Sequence, residues 1–235
     1  MTHSEMLDTL YSIQRDHMRT REDSYALHNK FMRYLNSLSI DERKTALTVL
    51  RESIENETSE IRWNALGCIV DLADDGSSEL IAGLYNKYSS QGNHTEWQDT
   101  FIFALMRLRA RSYSSTCIKH VRRSLKKKGS RLSALIAHLL FIDTSAFVQI
   151  ATQFWIGILK EKEPLFNPEG HIGTFLFNAA KDDPQIIRRL IDEVRKKNPL
   201  AGDKLNQLCL DYLEKYWNGS NLTRVYTALL RNTGV

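Results

Sequence analysis

The chain has 235 residues with 42% hydrophobic content, enough to bury a sizeable core, while its 4 prolines and 11 glycines are too few for a turn-dense β fold. Its net charge of +4 conceals a strong asymmetry. Residues 1–99 carry 10 basic and 17 acidic side chains and residues 143–235 carry 12 and 11, whereas the 43 residues between Asp99 and Asp143 hold ten Lys or Arg and no acid. So uneven a surface suits the steering of a charged macromolecule better than chemistry on a small neutral substrate.

The first residues, Met1-Thr-His-Ser-Glu-Met-Leu-Asp8, place acids where an export signal needs a basic region followed by an apolar run, so a cytoplasmic location is expected. Helices are predicted over 4–19, 23–38 and 40–55, the third with Ser39 as N-cap and Asp41 and Glu42 in its first turn. Thr58 or Ser59 caps a helix over 60–73, which ends in Asp74-Asp75-Gly76, with glycine read as the terminal residue. Further helices are predicted over 78–89, 95–111, 114–128, 131–142, 144–161, 171–181, 184–197, 200–216 and 220–232. The breaks between them are short and polar, and none is a domain linker, so a single domain over 1–235 is expected. The one longer irregular connection is 163–171, with two prolines and a glycine. The least charged stretch, 132–159, is interrupted at Asp143-Thr144-Ser145, and each half is shorter than the roughly 20 residues a membrane span needs. Two buried helices, and no membrane contact, are the expectation. Cys68, Cys117 and Cys209 are odd in number and far apart, which points to reduced thiols on helix faces.

When alternate helices are paired, the second members begin near 58, 95, 131 and 170, in steps of 37, 36 and 39 residues. That period is typical of helical-hairpin repeats, which bury their apolar faces against one another. The segment Glu60-Ile61-Arg62-x-x-Ala65-Leu66-Gly67-x-Ile69-x-x-Leu72-Ala73-Asp74 resembles the second helix of a HEAT repeat. Ala104-Leu105-x-x-Leu108 and Ala134-Leu135 echo it. The resemblance implies an all-α fold, a right-handed α-solenoid of HEAT-like antiparallel helix pairs. It also implies that a curved helical surface captures another protein.

In the helix over 114–128, Ile118, Val121 and Leu125 mark a buried stripe, and Lys119, Arg122, Arg123 and Lys126 mark a second stripe of cations alone. Each adjacent like pair costs a few tenths of a kcal/mol, roughly, with no carboxylate in the helix to relieve it. With Arg107, Arg111 and Lys127 these residues form the candidate anion- or partner-binding set. Glu52, Glu55, Glu57, Glu60, Asp71, Asp74 and Asp75 form an acidic arc that suits a basic protein partner. Metal-binding, phosphate-loop and nucleophile-elbow motifs are missing, so no cofactor is expected and catalysis is not. Glu169 and His171 in the irregular connection are the remaining acid–base pair, the basis of a lowest-ranked hydrolase reading.

The leading expectation is therefore a non-catalytic protein-binding module. In concrete form it is a bacterial immunity protein that neutralises a cognate toxin or nuclease by charge complementarity. The alternative is nucleic-acid binding along the basic face over 107–131, in the manner of HEAT-like DNA-repair glycosylases.

Overall fold

The computed structural model describes residues 2, 4–5, 8–9, 12, 24–56, 59–90, 95–127, 131–160, 168–218 and 221–231. Among them all regular structure is helical: twelve α-helices and three short 3-10 helices, with no strand. The predicted helix over 4–19 lies largely outside the described residues. The chain forms two compact units, Met1–Ala110 and Arg111–Val235.

The first unit holds α1 (Ser24–Ser37), α2 (Ile40–Asn56), α3 (Ser59–Asp71), α4 (Ser78–Ser90) and α5 (Thr95–Arg107). A capping box opens α2: the Ser39 N–H donates to Glu42 at 3.0 Å and the Glu42 N–H reaches back to Ser39 Oγ at 3.4 Å. Helix α2 packs against α3, α4 against α5, and α3 against α5, while α1 covers α2 and α3. Leu35, Leu50, Ile54, Ile61, Ile69, Phe101 and Leu105 are fully buried where these helices meet. Helix α5 buries Phe101, Ile102, Ala104, Leu105 and Met106, so it is enclosed on most sides.

Helices α3 and α5 end in the same way. Ala73 and Arg109 take left-handed φ values of 53° and 55°. The Ala73 N–H donates to the Val70 carbonyl and the Asp74 N–H to that of Ile69; Arg109 donates to Met106 and Ala110 to Leu105 in the same pattern, all at 3.0–3.2 Å. These are Schellman closures, which satisfy carbonyls that a helix end otherwise leaves without partners. Each is followed by a 3-10 turn (Asp75–Ser77, then Arg111–Tyr113) and by a helix that begins at a serine, Ser78 or Ser114. The recurrence is 36 residues. The terminal position predicted for Gly76 therefore belongs to Ala73. Gly76 lies in the 3-10 turn, where an added Cβ would come within 2.8 Å of Arg51 Nη2.

The second unit holds α6 (Ser114–Lys127), α7 (Leu132–His138), α8 (Thr144–Lys160), α9 (Pro168–Asp182), α10 (Gln185–Lys197), α11 (Pro199–Tyr216) and α12 (Asn221–Arg231). The helix predicted over 131–142 stops being α-helical at His138, and its last turn tightens to a 3-10 helix at Leu139–Phe141. The predicted break at Asp143 is the cap of α8, whose Ala146 N–H donates to Asp143 Oδ1 at 2.8 Å. Helix α8 is central, packed on α6, α7, α10 and α11, and buries Phe147, Ile150, Phe154, Trp155 and Ile158. Asn198 caps α11 by accepting from the Ala201 N–H at 3.2 Å, with Pro199 in the first turn. One turn on, Gly202 lets α11 close onto α10, since a Cβ there would run into the Arg195 backbone.

Cys68, Cys117 and Cys209 are buried free thiols, and burial pushes each up to about 12. No described helix is long and apolar enough to cross a membrane.

Two substitutions test these backbone assignments. Ala73→Gly relieves a left-handed residue that costs roughly 1–2 kcal/mol, against the added chain entropy of glycine, so it should raise stability by about 0.5–1 kcal/mol in urea unfolding. A lower midpoint would show that residue 73 is not left-handed. Gly202→Ala should cost about 1–3 kcal/mol through overpacking, and a neutral effect would place α10 and α11 further apart.

Candidate functional site

Helix α6 separates its faces sharply. Cys117, His120 and Val121 are buried, Ile118 and Leu125 are half-buried, and Lys119, Arg122, Arg123 and Lys126 are exposed. The inward stripe is thus rotated by one position from the predicted Ile118, Val121 and Leu125. The rotation leaves Ile118 at the edge of the core, where it contributes to the lining of an open groove of about 670 Å³.

One side of this groove is α6, with Ser115, Ile118 and all four cations. The other is the start of α8, with Asp143, Ser145, Ala146 and Gln149. Arg122 Nη2 donates to Gln149 Oε1 at 2.8 Å, so a neutral acceptor orients the guanidinium without cancelling its charge. Among the described residues none of Lys119, Arg122 and Lys126 forms an ion pair with a carboxylate. Asp143, the nearest acid in sequence, uses one oxygen to cap α8. The groove is therefore positive, with an apolar contribution from Ile118 and Ala146 and, among the described residues, a single carboxylate in its lining.

A second groove of about 780 Å³ lies along α8 between it and α10 and shares Ser145 and Gln149 with the first. Its lining sets Arg189 and Lys197 beside Asp192 and Glu193, so its charges offset one another; Asp192 also accepts from Arg188 at 3.0 Å and from Arg195 at 3.2 Å. Ser145 and Gln149 were not anticipated as site residues. Their signal is a polar pair one turn apart in the first half of a largely apolar helix.

The remaining basic candidates are placed differently. Arg111 is exposed in the 3-10 turn before α6 and is not part of the groove lining. The Lys127 side chain lies outside the described residues. Arg107 belongs to the first unit, where its Nη2 donates to Asp71 Oδ1 at 2.6 Å.

The acidic candidates divide. Asp71 also accepts from His28 Nε2 at 2.7 Å; this hydrogen bond, with the nearby Arg107 charge, holds its carboxyl below the ordinary value of 3.8 against the opposing effect of partial burial. Asp74 takes Arg51 in a two-pronged contact, Nη2 to Oδ1 at 2.9 Å and Nε to Oδ2 at 3.1 Å. Ser77 Oγ donates to the same carboxylate and accepts from Arg51 Nε at 3.0 Å. These bonds tie α2 to the turn after α3. Glu52, Glu55 and Asp75 are exposed, while Glu57 and the Glu60 side chain lie outside the described residues.

Glu169 and His171 are not in an irregular loop, because α9 begins at Pro168 and both lie in its first turn. Glu169 Oε1 accepts from Lys215 of α11 at 2.8 Å, which holds its carboxyl below the usual range. His171 Nδ1 meets Ser133 Oγ of α7 at 2.7 Å, and burial lowers its pKa. Each side chain is engaged by a different helix. Among the described residues no three of His, Cys, Asp and Glu cluster in a way that could hold a metal ion.

No model of a known protein family, no curated protein and no solved structure matches the chain.

The Asp71 cluster has a pH signature. A carboxyl whose folded pKa lies below its unfolded value stabilises the protein above that value, and the contribution is lost as pH falls through the folded pKa. Asp71→Asn should therefore destabilise the protein at about pH 7, and the gap from the parent should narrow as pH drops below about 4. A gap that does not change with pH, in urea midpoints measured across that range, would show that Asp71 does not couple folding to proton binding.

Proposed function

We propose that the chain is a non-catalytic binding module and that its basic groove docks an anionic surface of a protein partner. The observation that carries this reading is the row of cations on α6, in which Lys119, Arg122 and Lys126 have no ion-paired carboxylate among the described residues. Crowded like charges are unfavourable for the free protein, and carboxylates supplied by a partner relieve the repulsion while speeding association. In the concrete form of the proposal the partner is a toxin, neutralised in the cytoplasm by an immunity protein that covers its working surface. The helix pairs are read as HEAT-like repeats of a right-handed α-solenoid, a reading supported by the 36-residue recurrence of the left-handed closure, the 3-10 turn and the serine-headed helix.

Two features favour protein over nucleic acid. Asp143 in the lining opposes a continuous run of phosphates, and among the described residues no aromatic side chain lines the groove to stack a base.

The test is retention of partners from nuclease-treated native lysate by the tagged full chain and by its Lys119→Glu/Arg122→Glu variant, at moderate salt. The expected result is a stoichiometric protein held by the parent and lost about tenfold or more on charge reversal. Equal retention by both forms would overturn the groove as the docking surface. Recovery of nucleic acid alone, and only when nuclease is omitted, would favour the phosphate-binding alternative.

A further inference from the structure

We infer that the occupant of the basic groove is an acidic amphipathic helix of the partner. The inference rests on the preceding reading of the groove as a docking surface and adds the form that the partner takes there.

The first argument is one of spacing. Lys119, Arg122, Arg123 and Lys126 stand at i, i+3, i+4 and i+7 on α6, a row about 10 Å long at 1.5 Å per residue. A second helix laid alongside rises by the same amount per residue, so carboxylates at its own i, i+3, i+4 and i+7 meet the cations in register. An extended strand advances about 3.3 Å per residue with side chains alternating between faces, and passes the same row in about three residues with half of them turned away.

The second argument is the composition of the groove. Ile118 and Ala146 give it an apolar component beside the cations, and helices form both sides. A helix docked in a groove sets apolar anchors against such a surface while its flanking positions reach the rim. The occupant must therefore be two-faced, apolar toward Ile118 and Ala146 and acidic toward α6. A uniformly charged polymer would satisfy the cations alone and meet Asp143 with the wrong sign.

The third argument is preorganisation. Arg122 is already held by Gln149 through a single Nη2 contact, and its remaining N–H groups can still grip a carboxylate. Less side-chain freedom is lost on binding than for an unrestrained arginine.

The test uses the full chain and three labelled probes in fluorescence anisotropy. One is a synthetic peptide with Glu at i, i+3, i+4 and i+7 and Leu along the adjacent face. The second is a scrambled peptide of identical composition, and the third a duplex oligonucleotide of random sequence. Arg122→Glu/Lys126→Glu serves as the variant; both side chains are exposed, and its folding is checked by thermal melting. The expected result is that the patterned peptide binds about tenfold or more tighter than the scrambled one, gains helical circular dichroism on binding, and loses about tenfold or more with the variant. Equal binding of both peptides, lost equally on charge reversal, would overturn the helical occupant while leaving the anion-docking reading in place. Peptide binding indifferent to the reversal would overturn both. Tighter binding of the duplex than of the patterned peptide, abolished by the reversal, would assign the groove to phosphates instead.

Discussion

Ala73 and Arg109 hold a backbone conformation that costs an L-residue roughly 1–2 kcal/mol, and the course of the chain after α3 and after α5 depends on it. The left-handed residue turns its own N–H and the next one back onto the last turn of each helix, which closes the helix. The 3-10 turn and the next helix then follow at the same offsets in both places. At the first closure the turn also delivers Asp74 and Ser77 to Arg51, so a backbone motif and a part-buried ion pair reinforce one another. At the second it leads into α6, the helix that carries the cationic stripe.

The helical class and most helix boundaries were legible because apolar residues recur at helical spacing throughout and Ser39, Asp143 and Asn198 are strong capping residues. The end of α3 was misplaced because glycine is the favoured left-handed residue, and Gly76 stands close by. What gave the position to Ala73 is the hydrogen-bond geometry of the closure, which residue type alone does not encode. The 36-residue recurrence was visible only approximately, in starts near 58, 95 and 131. The similarity lies in backbone conformation, and Ala73 and Arg109 share no side-chain chemistry. The start of this helix was placed at His171, three residues late, and the helical state of Glu169 was missed for a comparable reason. Pro168 reads as a loop residue beside Gly170, yet proline is well suited to the first turn of a helix, where its missing N–H has no bond to make.

Charge was legible as a census and not as a circuit. Asp71 and Asp74 look no different in sequence from Glu52, Glu55 and Asp75. Yet Asp71 is joined to His28 and Arg107 and Asp74 to Arg51, cations distant along the chain. Packing of α1, α2 and α5 around α3 brings those cations to Asp71 and Asp74. Pairs of this kind hold elements together, and the cation beside each carboxylate reduces what it contributes to the field that a partner meets. The basic stripe was easier to read because its members follow helical spacing within a single element.

Gln149 shows how the cationic character of the groove is kept. A glutamate at that position would have nearly the same shape and would grip Arg122 more firmly, because a charge-assisted bond is roughly twice as strong as a neutral one. It would also place a compensating negative charge beside the row and reduce what the groove offers an anion. The amide orients the guanidinium through one hydrogen bond and leaves its full charge in place. Asp192 in the neighbouring groove shows the other outcome: there carboxylates stand among the cations, Asp192 and Glu193 beside Arg189 and Lys197, and the charges of the lining offset one another. Two grooves share Ser145 and Gln149, and the choice of amide over carboxylate at the shared ridge leaves the first of them more strongly positive.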